Sequence, residues 1–168
     1  MSGQRWRPAY IGVGSNLESP SQQIAAANRA LGKLDDCGYS QISPLYRSAP
    51  LGPVNQPDFV NGVVGLMTRL EPRALFEQLQ AIENSLGRDR STQRWGPRII
   101  DLDLLACGSL RVDEEDLQVP HAGITERNFV LLPWADIAPG FVIPGHRNVI
   151  SLAKEAPAEP PIERLDEK

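Results

Sequence analysis

The period of the apolar residues changes repeatedly along this chain, and this alternation limits the folds open to it. Short extended runs bounded by glycine, proline and asparagine are typical of strands, whereas apolar residues at helical spacing indicate helices. The predicted strands are Tyr10–Val13, Tyr39–Arg47, Asp58–Leu70 and Ile99–Cys107. The predicted helices run from Ser19 to about Lys33 and from Glu71 to Gly87.

The order of these elements predicts the class of fold. Strand, helix, strand, strand, helix, strand is the signature of an α+β, ferredoxin-like sandwich, in which the helices pack on one face of an antiparallel sheet. Pro44 places the segment Tyr39–Arg47 at a sheet edge or a bulge. A C-terminal extension is expected to add a short extended piece over Leu117–Pro120 and a helix over Asn128–Ile137.

Serine, proline and glycine indicate where these elements begin and end. Ser19 is predicted to cap the first helix, with Pro20 at its first position and Gln22 placed to close a capping box. Gly14-Ser15-Asn16 predicts that the chain leaves its first strand through a tight turn. Gly12-Val13-Gly14 lacks the third glycine of a dinucleotide-binding loop, so it is also interpreted as a turn.

The length and composition favour a single domain. The chain has 168 residues, of which 41% are hydrophobic and 23% are charged, and this is ordinary globular usage. The core is expected over about residues 8–152. Residues 153–168 are rich in proline and glutamate and have little to bury, so they are predicted to form a frayed tail.

The charge balance argues against several classes of partner. A net charge of -4 and a pI near 5.2 do not attract a polyanion, so no nucleic-acid partner is predicted. Cys37 and Cys107 match neither a zinc spacing nor a disulfide framework. No apolar run approaches the roughly 20 residues that span a bilayer, and the N-terminus carries no secretory signal. A cytoplasmic protein without membrane contact is therefore expected by default, and a monomer is expected.

The predicted strand Ile99–Cys107 carries two aspartates two residues apart. Side chains at this spacing point to one face of a strand, so Asp101 and Asp103 project together with Cα atoms ~6.5–7 Å apart, while the apolar residues between them face the helices. Like charges on one face destabilise a strand, whereas a hard cation such as Mg²⁺ removes that conflict. Taken alone, the pair fits an ordinary solvated strand face equally well.

Four arginines precede this strand in one short loop, at positions Arg88, Arg90, Arg94 and Arg98. Guanidinium groups bind phosphate oxygens bidentately. A basic loop that leads into an acidic strand therefore suits a metal–nucleotide substrate, whose oxygens need cations and whose magnesium needs carboxylates. The alternative is a solvated arginine-rich turn. The combination predicts a magnesium-dependent enzyme that moves a phosphate-type group from ATP.

Further candidates are isolated in the sequence. His121 and Arg127 could add donors around a polyphosphate, although a lone histidine is more often structural. Phe59 and Phe129 lie near polar positions, and they either pack in the core or stack on a flat heterocycle. Taken one at a time, these four residues do not predict a function.

Several longer motifs supply that pattern between about residues 8 and 152. They are Gly14-Ser15-Asn16, Ser48–Pro53 with Gln56–Asn61, Arg94–Arg98 with Asp101-Leu102-Asp103, and Val119-Pro120-His121. Together they resemble the 6-hydroxymethyl-7,8-dihydropterin pyrophosphokinase family of folate biosynthesis. The resemblance implies transfer of the β,γ-diphosphate of ATP to the hydroxymethyl oxygen of the pterin, with release of AMP.

The resemblance also implies roles for individual residues. Asp101 and Asp103 would hold two magnesium ions, and Arg88 and Arg98 would stabilise the transferring group. The other implied ATP contacts are Gln80, Glu83, Arg90, His121 and Arg127. The implied pterin contacts are Ser48, Leu51, Phe59, Asn61, Trp95, Asp101 and Phe129, with the two phenylalanines sandwiching the ring.

The chain departs from the family pattern at a few positions. Phe59 stands where tyrosine is frequent and Ala49 where proline is expected, and stacking survives both changes. Ser91 stands where a lysine can occur, which implies fewer loop contacts to phosphate.

A ferredoxin-like RNA-binding module, or a nucleotide-binding regulatory module without catalysis, is the alternative function. The acidic pI and the absence of an RNA-binding aromatic run on Asp58–Leu70 argue against the first. The paired aspartates argue against the second.

Overall fold

The computed structural model has an antiparallel sheet flanked by helices, and it describes residues 5–17, 19–50, 52, 55–87 and 99–165. The strands are β1 Arg7–Ser15, β2 Cys37–Ile42, β3 Tyr46–Ser48, β4 Phe59–Thr68, β5 Asp101–Cys107, β6 Val112–Glu114, β7 Leu117–Val119 and β8 Ile162–Arg164. The helices are α1 Pro20–Gly32, α2 Pro72–Ser85, α3 Asn128–Ile137 and α4 Val149–Lys154, with a 3₁₀ turn over Ile124–Glu126. Among these elements, no helix is both long and apolar enough to cross a bilayer.

The main sheet has the order β5-β1-β4-β3-β8, and β2 also pairs with β4. In the register of β1 with β4, Arg7 lies opposite Thr68 and Ser15 lies opposite Val60. These two long strands lie in the centre and are almost wholly buried, which explains why their sequences are nearly continuous apolar runs. The strands β6 and β7 form a separate hairpin.

Helices cover both faces of the sheet. The helices α1 and α2 pack on the face that presents Ile11, Val13 and Leu102. The helices α3 and α4 pack on the opposite face, against Val63 and Leu105. The predicted packing of α1 and α2 on one face is therefore confirmed, and the helices of the C-terminal extension cover the second face, which is also apolar.

The start of α1 differs from the predicted capping box. Ser19 has a φ of 61°, and its side chain makes no capping hydrogen bond. Its carbonyl oxygen instead accepts hydrogen bonds from the backbone N–H groups of Gln22 and Gln23, at 3.0 and 3.1 Å. The helix position is confirmed, whereas the capping interaction is wrong because the backbone satisfies these donors.

The predicted strand Tyr39–Arg47 is divided into β2 and β3 at Pro44. Proline lacks a backbone donor and cannot continue a ladder on both sides. Ser43 maintains the connection to β4: its backbone N–H donates to the carbonyl of Val63, and its Oγ accepts from the N–H of the same residue, both at 2.9 Å. The predicted irregularity at Pro44 is confirmed, and it separates β3 as a short strand near the end of β4.

The C-terminal segment, which the composition predicts to fray, pairs with the sheet. Strand β8 runs antiparallel to β3, with Ile162 opposite Ser48. The backbone N–H of Leu165 donates to the carbonyl of Leu45 at 2.8 Å, and Pro160 is buried. A proline-rich segment suits an outer strand because an edge position leaves one side of its backbone without ladder bonds.

Candidate active site

Asp101 and Asp103 lie on β5 and share one face of the sheet, as predicted. Leu102 and Leu104 are buried on the other face, in the core formed with α1 and α2. Both aspartates are only partly buried, and they are in register with β1, where Gly14 lies opposite Asp101 and Gly12 lies opposite Asp103.

The two glycines of Gly12-Val13-Gly14 lie within β1, so the predicted turn at this position is wrong. They leave bare backbone beside the two aspartates, whereas Val13 faces the core. A Cβ atom at Gly14 would lie 3.0 Å from the Oδ1 atom of Asn61 on β4. Glycine at this position therefore lets Asn61 approach β1 closely and leaves space in front of the carboxylates.

A cavity of ≈ 240 Å³ lies over this face of the sheet. Its lining residues are Gly12, Val13, Gly14, Ser48, Ala49, Phe59, Asn61, Gly62, Asp101, Asp103, His121, Arg127, Phe129 and Val130. Eight of them are residues that the sequence predicts for the site, and they come from β3, β4, β5, α3 and the segment before α3. We call this the first cavity.

One wall of the first cavity is fixed by a buried hydrogen bond. The Nδ2 atom of Asn61 donates to the Oγ atom of Ser48 at 2.7 Å, and both side chains are less than a tenth exposed. This bond sets the orientation of the carboxamide that faces the cavity. Phe59 and Phe129 also line the cavity, one from β4 and the other from α3.

Arg127 lies beside the aspartate pair. One of its terminal nitrogens is 3.7 Å from the Oδ2 atom of Asp103, and the two side chains are 27% and 33% exposed. A Cβ atom at Gly123 would lie 2.9 Å from the Nε atom of Arg127, so a side chain there would push the flexible guanidinium aside. The arginine therefore lies close to Asp103 while part of it remains accessible to an anion.

His121 is held as a neutral donor. Its Nδ1 atom accepts a hydrogen bond from the backbone N–H of Gly123 at 3.1 Å, so the proton of the neutral ring is on Nε2. Burial, reinforced by the charge of Arg127 and opposed by that of Asp101, lowers the pKa of His121 from 6.5 to about 4. Near neutral pH the ring offers an uncharged N–H.

We expect the low pKa of His121 to be measurable in the metal-free protein. An NMR titration of its ring should give a pKa near 4 rather than the ordinary 6.5. Between those values the unfolded chain binds a proton that the folded chain does not, so the free energy of unfolding should fall as the pH drops through this range. A His121→Gln variant should lose that part of the pH dependence. A ring that titrates near 6.5 would contradict the buried environment.

A second cavity of ≈ 260 Å³ lies next to the first and shares Asp103 and His121 with it. Its other lining residues are Phe76, Leu102, Leu104, Glu115, Asp116, Leu117, Gln118 and Ala122. Phe76 lies on α2, and the hairpin β6–β7 is about 40 residues away from it in the sequence. No local signal in the sequence indicates that these two elements meet.

Gln80 and Glu83, which the resemblance implies as ATP contacts, line neither cavity. Glu83 is 3% exposed, and its Oε2 atom accepts a hydrogen bond from the backbone N–H of Leu102 at 2.8 Å. Leu102 lies between the two aspartates, so this carboxylate ties α2 to the part of β5 that carries them.

Two residues of the motif Gly14-Ser15-Asn16 support the site through hydrogen bonds that their side chains donate. The Nδ2 atom of Asn16 donates to the Oε1 atom of Gln56 at 2.8 Å and to the carbonyl of Pro57 at 2.9 Å. The hydroxyl of Ser15 donates to the carbonyl of Ile99. The motif therefore holds the segments that lead into β4 and β5.

Several predicted residues lie outside the residues that the structure describes, namely Leu51, Arg88, Arg90, Arg94, Trp95 and Arg98. Within the described part of the chain, no group of three or more His, Cys, Asp or Glu side chains could hold a metal ion. A cation at Asp101 and Asp103 would therefore need further oxygens from a substrate or water, and this is the usual situation for Mg²⁺ bound with phosphate.

Comparison with known proteins identifies the family. A sequence model described as 7,8-dihydro-6-hydroxymethylpterin-pyrophosphokinase matches residues 10–139. The chain is 47% identical over 156 residues to the 2-amino-4-hydroxy-6-hydroxymethyldihydropteridine pyrophosphokinase of Pseudomonas aeruginosa, and this match covers 93% of the chain and 95% of that protein. A protein of the same name from Haemophilus influenzae is 42% identical over 147 residues, which cover 88% of the chain and 91% of that protein.

A solved structure has a similar fold. Wild-type HPPK-DHPS of Plasmodium falciparum gives a TM-score of 0.68 at 15% identity, over 90% of this chain and 45% of that one. The chain thus spans less than half the length of that protein, and the similarity concerns the fold alone. Because the family model covers most of the chain and close relatives match over nearly their whole length, the chain belongs to the 7,8-dihydro-6-hydroxymethylpterin-pyrophosphokinase family.

Proposed function

We propose that the first cavity binds the pterin alcohol and that the second binds the nucleotide. Family membership shows that the chain is a pyrophosphokinase of folate synthesis, which transfers the pyrophosphoryl group of ATP to 6-hydroxymethyl-7,8-dihydropterin. Family membership does not favour the alternative of a non-catalytic RNA-binding or regulatory module. The observation that carries the proposal is that the two cavities share Asp103 and His121, so substrates in both would meet beside these residues.

The lining of the first cavity suits a flat, polar heterocycle. Phe59 and Phe129 offer aromatic faces, which can stack on a ring. Asn61, oriented by Ser48, offers a carboxamide to the ring edge, and such an edge carries both donors and acceptors. The second cavity combines the apolar side chains of Phe76, Leu104 and Leu117 with polar neighbours, and this suits a nucleoside.

The aspartate pair fits magnesium. The oxygens of Asp101 and Asp103 are the ligands that this ion prefers, and the facing glycines leave room for phosphate. We propose that these two residues hold two Mg²⁺ ions, which when bound would neutralise charge on the transferring diphosphate. The support is the shared strand face and the partial exposure of both side chains.

In the proposed reaction the chain mainly positions the two substrates and stabilises the charge on the transferring diphosphate. A bond forms between the hydroxymethyl oxygen and the β-phosphorus, and the bond from the β-phosphorus to the oxygen bridging it to the α-phosphate breaks. AMP leaves with that oxygen, and the hydroxyl proton passes to solvent water. The neutral Nε2–H of His121 and the guanidinium of Arg127 are placed to donate to phosphate oxygens. Positioning and charge stabilisation of this kind account for most catalysis of phosphoryl transfer.

The remaining assignments rest on the resemblance alone. Arg88 and Arg98 are proposed to stabilise the transferring group and Arg90 to contact ATP, while Leu51 and Trp95 are proposed to complete the pterin site. The chain is further proposed to act as a single-domain monomer in the cytoplasm.

A ferredoxin-like interpretation of the sheet is supported by its strand order, because α1 and α2 each connect strands that another strand separates.

The nucleotide product tests the proposed reaction. With magnesium, ATP and 6-hydroxymethyl-7,8-dihydropterin, we expect one AMP for each pterin diphosphate formed, because the β-phosphorus is attacked. An ordinary kinase would release ADP. Chromatography of the nucleotides with and without the pterin distinguishes the two, and either ADP or AMP release that does not depend on the pterin would contradict the proposal.

A further inference from the structure

The C-terminal segment 157–165 contacts both walls of the first cavity. On the α3 side, the Nδ2 atom of Asn128 donates to the carbonyls of Pro157 and Pro160, at 3.0 and 2.7 Å. Asn128 is 3% exposed and is the first residue of α3. Its neighbours on either side, Arg127 and Phe129, both line the cavity.

The same segment holds the opposite wall. Ile162 on β8 lies opposite Ser48 on β3, and Ser48 accepts the hydrogen bond that orients Asn61. The backbone N–H of Ala49, another residue of the cavity wall, donates to the carbonyl of Pro161 at 3.4 Å. One stretch of chain therefore connects the wall that carries Phe129 with the wall that carries Ser48.

The chemistry at Asn128 depends on an amide group. Two backbone carbonyls need two donors, and a primary amide supplies both from a single nitrogen, whereas serine supplies one and aspartate supplies none. The Oδ1 atom of Asn128 is buried without a partner among the described residues. The interaction that keeps this polar side chain buried is therefore its pair of bonds to the C-terminal segment.

We propose that Asn128 is a positioning residue for the pterin, and that it acts by fixing the start of α3 to residues 157–160. The hydrogen bonds of Asn128 to Pro157 and Pro160 hold Phe129 at one wall of the cavity. The opposite wall carries Ser48 on β3, and β8 supports it by pairing with β3. The inference rests on the proposed function of the first cavity as the pterin site. It gives the C-terminal segment a role in substrate affinity that does not require contact with the substrate.

The main test is Asn128→Ala in the full-length protein. We expect the Kd for pterin, measured by calorimetry, to rise about tenfold, which is the size expected for a lost pair of buried hydrogen bonds. The KM for pterin should rise by a similar factor. The kcat at saturating pterin and the affinity for an ATP analogue should stay within about twofold, since no residue of 157–165 lines the second cavity. A loss of thermal stability with an unchanged KM for pterin would overturn the proposal.

A second variant tests the other end of the segment without touching the cavity. Backbone bonds at Pro161 and Leu165 place Glu163 and Arg47 in the hydrogen-bonded positions of the β3–β8 ladder. Glu163→Pro should break this pairing and weaken pterin affinity in the same direction, while the exposed Glu163→Ala should change nothing. If Asn128→Ala does not fold, the comparison of Glu163→Pro with Glu163→Ala tests the proposal instead. Equal pterin affinity in these two variants would overturn it.

Phe129→Ala separates this inference from the function on which it rests. If Phe129→Ala weakens pterin binding and Asn128→Ala does not, the cavity is the pterin site and the positioning role of Asn128 is wrong. If neither Phe129→Ala nor Asp101→Ala changes pterin binding, the pterin binds elsewhere and the proposed function itself is wrong.

Discussion

Asp101→Ala and Asp103→Ala should each reduce AMP formation by about 1,000-fold or more, because either change removes half of the carboxylate pair that would hold magnesium at the transferring diphosphate. The metal-free fold should survive. The two carboxylates repel each other, and the contact of Asp103 with Arg127 is 3.7 Å long and partly exposed. Such a pair contributes at most about 1 kcal/mol to the free energy of unfolding.

The assay measures AMP at saturating substrates, and thermal unfolding is measured without metal. Asp113→Ala is the matched control, since Asp113 is an exposed carboxylate on β6 that lines neither cavity. Its activity and stability should equal those of the wild type. An unfolded metal-free Asp101 or Asp103 variant would indicate a structural role, and near-normal turnover would remove the pair from the mechanism.

Glu83→Ala should lower the free energy of unfolding by about 2–4 kcal/mol, since it deletes a buried acceptor and leaves the N–H of Leu102 unsatisfied between the two aspartates. Glu83→Gln keeps an oxygen that can accept this bond and should recover much of the stability. Chemical denaturation gives both values, and Glu77→Ala, on the exposed side of the same helix, is the control.

The same variants test the ATP contact that the family resemblance implies for Glu83. If the residue acts by bracing β5, ATP affinity in Glu83→Gln should stay within about threefold of the wild-type value. A Glu83→Gln protein of normal stability that binds ATP far more weakly would instead support a direct contact. A Glu83→Ala protein as stable as the wild type would contradict the bracing role.

Local periodicity was sufficient for most elements of the sheet. The strand β5 and the helix α3 follow their predicted boundaries within two residues, because alternation and helical spacing are properties of neighbouring residues. The common face of Asp101 and Asp103 follows from the period of two for the same reason. Motif resemblance then supplied residues that periodicity cannot connect, and eight of them line one cavity.

Other features depend on contacts between residues far apart in the sequence. Gly12 and Gly14 suggest a turn when considered alone, and only the pairing of β1 with β5 shows that they leave space before the aspartates. The tail suggests disorder from its composition, yet β3 offers it an edge to pair with. The donor of Asn128 and its acceptors are about 30 residues apart, with no pattern to link them.

The sequence by itself therefore determined the family, the reaction and the acidic strand on which the site is built, because these depend on residue type and short spacing. Only the tertiary structure decided which face of the sheet α3 and α4 cover, that the hairpin β6–β7 and Phe76 form a second cavity, and that Glu83 and Asn128 lie outside both cavities. The physical reason is that burial and hydrogen-bond partners are set by packing between distant segments, which no local pattern encodes.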